Sequence, residues 1–107
     1  MNQPRLHQMK RLGATQWLHR RTGRKNISGI VIRATRLKLG WTMEYLSEQL
    51  EQAAGFELSI ATIEKIEKGT RSVYDYEVIV FARVLDVPLQ ELLLNTDNAN
   101  NNVLSPR

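Results

Sequence analysis

Trp41-Thr42-Met43-Glu44-Tyr45-Leu46-Ser47-Glu48, followed after a short interval by Leu58-Ser59-Ile60-Ala61-Thr62-Ile63-Glu64-Lys65-Ile66-Glu67-Lys68-Gly69, decides how this chain folds. Thr42 and Ser59 carry the hydroxyl that caps a helix by accepting a hydrogen bond from an otherwise orphaned first-turn N–H. Glu44 falls in the first turn after Thr42, where a carboxylate suits the helix dipole. Leu46 and Leu50, then Ile63 and Ile66, recur at helical spacing and point inward. Gly69 supplies the left-handed residue that ends the second segment. The stretch therefore reads as two short helices, each with one buried and one open face.

Working outward, a first core helix starts near Ser28 or Gly29 and runs to Leu39, with Ile30, Ala34, Leu37 and Val31 as its apolar stripe and Gly40 as its stop. Ala53-Ala54-Gly55-Phe56-Glu57 connects the two central helices. Beyond Gly69, Thr70-Arg71-Ser72-Val73-Tyr74 is a loop. Asp75 caps a fourth helix carrying Val78, Ile79, Ala82 and Leu85. Pro88 fits the first turn of a short fifth helix ending near Leu94. No strand signal or internal repeat is visible. The expectation is an all-α, five-helix domain over residues 27–94. A basic arm, residues 1–26, precedes it; Leu6, Met9 and Leu12, then Trp17 and Leu18, give it weak helical character broken near Gly13. Trp17 either docks on the domain or stands exposed. The Asn-rich tail, residues 95–107, has no periodicity and reads as disordered.

The 107 residues suffice for one domain with a modest core. There is no cysteine, and the two histidines, His7 and His19, both lie in the arm, so no metal site or cofactor is expected. No apolar run approaches the roughly 20 residues of a membrane span. The net charge of +4 is distributed unevenly. Residues 1–26 hold seven basic residues (Arg5, Lys10, Arg11, Arg20, Arg21, Arg24 and Lys25) and no acid, whereas the remainder holds eight basic and eleven acidic residues. A basic arm on a small domain favours a polyanion through counterion release; the plainer reading is a solvated tail. An organellar transit peptide would have similar composition. A basic chain with a capped, half-exposed helix pair is best explained by double-stranded DNA, because the major groove admits such a helix.

Thr42, Leu46, the small Ser47, Leu58-Ser59, Ile63, Ile66-Glu67, Gly69 and the closing Asp86-Val87-Pro88-Leu89-Gln90-Glu91-Leu92-Leu93 resemble the patterned positions of the Cro/phage-repressor (XRE-type) helix-turn-helix family. The resemblance covers about residues 29–94. It implies a lambda-repressor-like domain, a prokaryotic or phage origin that weighs against a transit peptide, and a cytoplasmic, nucleoid-associated transcriptional regulator. It implies an Arg36–Glu67 ion pair between the first and third helices, at least half buried. Two features depart from the family. Met43 stands where a glutamine is common, and the connection between the central helices is longer by a few residues.

The family's base-facing positions fall on Ile60, Ala61 and Lys65, with Thr62 beside them and Ser59 at the cap. Lys65 can donate to guanine; Ile60 and Ala61 can only meet apolar groups such as thymine methyls. Thr42, Met43 and the N–H groups of their helix are placed for phosphate. Lys68, Arg71, Tyr74, Arg20, Arg21, Arg24 and Lys25 are expected on the DNA backbone or in the minor groove. Such a sparse reading helix needs a homodimer on a two-fold site, and Leu89, Leu93 and Leu94 are the expected dimer surface. The alternative is an antitoxin-like or mobile-element accessory protein that uses the fold to hold a protein partner. Met43, the Ile60-Ala61 pair and the acids Glu44, Glu48, Glu51 and Glu57 favour that alternative. No nucleophile–base pair, phosphate loop or paired-carboxylate site suggests an enzyme.

Overall fold

A computed structural model describes residues 13–94, within which six helices and no strands are present. They are α1 (Ala14–Thr22), α2 (Ser28–Lys38), α3 (Met43–Ala54), α4 (Ile60–Lys68), α5 (Asp75–Leu85) and α6 (Leu89–Leu94). Helices α2 to α6 form the expected five-helix domain, and α1 is an additional element inside the arm. Leu6, Met9, Leu12 and the Asn-rich tail lie outside the described residues, as do His7, Arg5, Lys10 and Arg11.

The caps explain where the helices begin and end. The Thr42 hydroxyl accepts from Tyr45 N at 2.9 Å, and Ser59 Oγ accepts from Thr62 N at 3.1 Å. Helix α4 stops at Gly69, whose φ of 83° is a left-handed conformation that a side chain would strain; Thr70 N then returns to Lys65 O at 2.9 Å. Helix α5 starts one residue earlier than expected. Tyr74 is its N-cap, Asp75 its first residue, and the Glu77 carboxylate reaches back to accept from Tyr74 N at 2.9 Å. A carboxylate three residues into the helix satisfies the cap N–H better than Asp75 could.

The core is a single cluster of Ile32, Leu46, Leu50, Ile63, Ile66, Val78, Phe81, Ala82, Leu85 and Leu92. Helix α2 packs on α4, α5 and α6, while α3 packs on α4 and α5. The stripe assigned to α2 from the sequence is only partly right: Val31 packs against the core and Ile30 is half-buried, but the other two members are not. Ala34 and Leu37 face solvent, Leu37 being 50 % exposed, and the buried positions are Ser28, Gly29, Ile32 and Arg36. The four are spaced as one helical face. The reason is the neighbour: α4 approaches so closely that a Cβ on Gly29 would run into the Ile66 carbonyl oxygen. Small residues permit that approach, and Arg36 finds its carboxylate there. On α5, Val78, Ala82 and Leu85 are buried as expected, whereas Ile79 is 44 % exposed and Phe81 is fully buried in its place.

Candidate nucleic-acid interface

Helices α3 and α4, joined by the five residues from Gly55 to Ser59, make a pair whose second member shows an open face. Helix α3 runs through Ala54 and closes at Gly55, so part of the longer connection is simply helix. Ser47 Oγ donates to Leu58 O at 2.7 Å and ties the turn back to α3. Phe56 is half-buried and meets Tyr76 edge-on, with ring centroids 6.2 Å apart. The turn is thus held at both ends, which fixes the angle at which α4 leaves it.

On α4, Ile60, Ala61 and Lys65 are exposed along one side, while Ile63 and Ile66 are fully buried on the other. Ile60 is 45 % exposed. Thr62 is half-buried, its hydroxyl accepting from Ser59 Oγ at 3.0 Å. Glu64 is paired with Lys68 at 3.1 Å on the surface, so each partly neutralises the other. Lys65 is exposed beside this pair.

Helix α4 is fixed in roll by a buried charge pair. Arg36 Nε donates to Glu67 Oε2 at 2.7 Å and Nη2 donates to Oε1 at 2.9 Å, a bidentate geometry. Side-chain exposure is 7 % for Arg36 and 1 % for Glu67. Arg36 Nη1 also donates to Trp41 O at 2.7 Å, which ties the entry to α3 into the same network. The hydrogen bonds to Glu67 hold the Arg36 guanidinium above its ordinary pKa despite burial.

Other residues expected at the interface have different surroundings. Met43 is half-buried and packs against the core, whereas Thr42 is exposed. Arg71 is not an open cation. It donates from Nη1 and Nη2 to both Glu77 oxygens at 2.9 and 3.0 Å, and from Nη1 to Ser72 O at 3.0 Å. Burial alone would raise the Glu77 pKa; the bonds from Arg71 and Tyr74 N outweigh it and hold the carboxyl below its ordinary value. Arg71 therefore serves mainly to neutralise a carboxylate that is itself needed to cap α5. Tyr74 is 54 % exposed and stacks on Tyr76 with ring centroids 5.5 Å apart, with Arg71 over its ring at 5.6 Å.

Arg24 also has intramolecular partners. It is half-buried rather than waving on an arm, and it donates from Nη2 to the carbonyls of Ile66 and Glu67 at 3.3 and 2.9 Å. Arg20, Arg21 and Lys25 are exposed, with Arg21 lying 5.2 Å over the Trp17 ring. Asn26, not singled out by sequence reasoning, is buried beside Arg24. It donates from Nδ2 to Ile66 O at 2.9 Å and Arg71 O at 2.8 Å, and accepts from Gly29 N at 2.8 Å. An asparagine three residues before a buried glycine at a helix start was the available signal. Of the apolar residues near the end of the domain, Leu92 is core, Leu93 is half-buried, and Leu89 and Leu94 are 40 % and 60 % exposed. With Ile79, Ala82, Arg83, Asp86 and Val87, Leu89 lines an open groove of about 350 Å³.

A turn-linked helix pair, with the second helix capped, rigidly rolled and open on one face, defines a helix-turn-helix domain. A family model described as Helix-turn-helix matches residues 32–92, and the chain belongs to that family, of the Cro/phage-repressor (XRE) type, whose domains are DNA-binding and regulatory. No curated protein and no solved structure matches the chain significantly. No helix among the described residues is long and apolar enough to cross a membrane, and among them no cluster of metal-ligating side chains occurs.

Proposed function

We propose that this protein is a sequence-specific transcriptional repressor that binds double-stranded DNA as a homodimer, working on the nucleoid in the cytoplasm. The observation that carries this reading is the exposed row Ile60, Ala61 and Lys65 on a helix whose other face is fully buried and whose roll is fixed by the Arg36–Glu67 pair. A helix so presented enters the major groove with its first turns against the bases. Lys65 donates to guanine, and Ile60 with Ala61 lies against thymine methyls. Thr42, Ser59 and Thr62 at the helix starts bind phosphate, and Lys68, Tyr74, Arg20, Arg21 and Lys25 add backbone contacts elsewhere. One donor side chain reads little of a half-site, so two half-sites related by two-fold symmetry are required. The exposed Leu89 and Leu94, with Leu93 and Ile79, provide the apolar surface for the dimer.

A second reading is supported by a different surface. Trp41 and Tyr45 meet edge-on at 4.9 Å, Tyr45, Leu37 and Leu39 are 42–50 % exposed, and Glu44 and Glu48 are exposed on α3. Exposed apolar side chains together with exposed acids suit a protein partner better than phosphate, as in an antitoxin-like or accessory protein. Selection of the full-length protein on a random duplex pool at about 150 mM salt separates the two, because non-specific binding is weak there. Enrichment of a two-fold-symmetric site supports the repressor. Binding without any enrichment rejects specific readout and leaves the partner-holding role.

A further inference from the structure

The end of the recognition helix is held from outside the matched domain. Helix α4 presents the carbonyls of Ile66 and Glu67 at its C-terminal end, where the dipole is negative. Within the last turn Gly69 N donates to Ile66 O at 3.1 Å and Thr70 N to Lys65 O at 2.9 Å, and the remaining acceptor capacity is met from elsewhere in the chain. Residues 24–26 cover this end. Arg24 donates to both carbonyls and, from Nε, to Asn26 O at 3.1 Å. Asn26 donates to Ile66 O and to Arg71 O beyond the helix. Lys25 N donates to Gly69 O at 2.7 Å. Three successive residues therefore bond to the carbonyl end of one helix 40 or more positions later in the chain.

On the other side, a single residue, Gly23, separates this clamp from α1. Gly23 has a φ of 76°, its N–H returns to His19 O at 2.7 Å, and Arg24 N donates to Thr22 Oγ1 at 2.9 Å. The last turn of α1 carries His19, Arg20 and Arg21, all exposed. We propose that Arg24 and Asn26 are positioning residues for DNA recognition: they fasten α1 to the C-terminal end of α4, so that Arg20 and Arg21 meet the DNA backbone at a fixed offset from the bases read by Ile60, Ala61 and Lys65. The inference rests on the DNA-binding reading above. A loose basic arm contributes charge wherever it falls. A clamped one contributes only while the clamp holds, and so couples backbone contact to base register.

The test is a double-mutant cycle with a DNA-free control. Arg24→Lys keeps the charge but replaces the planar fork with a single ammonium that cannot span both carbonyls and Asn26. A Gly-Ser-Gly-Ser insertion between Gly23 and Arg24 keeps every clamp bond and frees α1, which guards against an Arg24→Lys protein that fails to fold. With each released contact worth about 0.9 in salt slope, Arg20→Ala/Arg21→Ala should weaken binding of a selected duplex about 30-fold per half-site at about 150 mM salt in the parent, costs being compared per half-site throughout. In either altered background the same pair should cost less than about fivefold, with a correspondingly small change in slope. Equal costs in all three backgrounds overturn the proposal. In parallel, Trp17 is made the sole indole by Trp41→Phe and its anisotropy decay is followed without DNA. The indole should tumble with the domain in the parent and gain nanosecond motion in both variants. Unchanged decay in both overturns the clamp itself. If the decay changes as expected but the parent selects no duplex, the DNA-binding reading fails and the positioning role with it, a result distinct from failure of the clamp.

Discussion

Glu67→Gln removes one charge from a pair that is almost completely out of water. The substitution keeps the volume and one acceptor oxygen, but it leaves the Arg36 guanidinium, 7 % exposed, facing a neutral amide whose NH2 points donor to donor. Loss of one partner from a buried pair typically costs about 3–5 kcal/mol, and the bidentate geometry and dry surroundings place this pair at the full value. Domains of this kind hold only about 5–15 kcal/mol in total. With roughly 4–8 °C of melting temperature per kcal/mol at this size, the variant should melt some tens of degrees lower, or be unfolded at ambient temperature. Urea unfolding followed by circular dichroism measures the loss directly. The companion variant Arg36→Met/Glu67→Leu should regain most of it, because an apolar pair of similar volume avoids desolvating either charge. Its residual deficit comes from the Trp41 carbonyl, which loses the Arg36 donor. A Glu67→Gln protein within about 0.5 kcal/mol of the parent would refute the reasoning, since that is the range of an ordinary surface substitution.

Other outcomes follow from the same structure. Glu77 has a folded pKa below its unfolded one, so its stabilisation is present above the ordinary carboxylate range near about 4.3 and is lost as pH falls through the lower folded value. Unfolding free energy measured through that acid range should fall less steeply in Glu77→Gln than in the parent, from a lower plateau; parallel curves would count against the Arg71–Glu77 pairing. Asn26→Ala strips two carbonyls of a donor and Gly29 N of an acceptor, and should cost about 2–3 kcal/mol in urea unfolding. Gly29→Ala should cost about 1–3 kcal/mol by forcing α2 away from Ile66 O, whereas no loss would mean that the helices can separate freely. Lys65→Ala should change the sequence selected from a random duplex pool while lowering the salt slope by no more than about 1; a slope change without altered preference would place Lys65 on phosphate.

The sequence by itself determined the helices and most of their inward residues. Thr42, Ser59 and Gly69 act within one or two turns of their own positions, so their effects need no tertiary partner. Leu46, Leu50, Ile63 and Ile66 lie on sharply two-faced helices, where spacing alone separates inside from outside. Arg36 and Glu67 came from the pattern of the family, not from the local chain; nothing in either helix announces a partner 31 residues away. Tertiary structure decided what was ambiguous locally. On α2 the buried face contains Ser28, Gly29 and Arg36, so counting apolar residues placed Ala34 and Leu37 inside when they face solvent. The chain cannot reveal that a carbonyl and a carboxylate from α4 wait there. The partners of Arg24 and Arg71 were hidden for a related reason. An arginine in a basic or polar segment looks solvated, and only the fold brings Arg24 to the carbonyl end of a distant helix and Arg71 to a buried carboxylate. Capping acts over a few residues and is written in them; burial of a charge depends on what the rest of the chain delivers to it, and that is settled only when the helices pack.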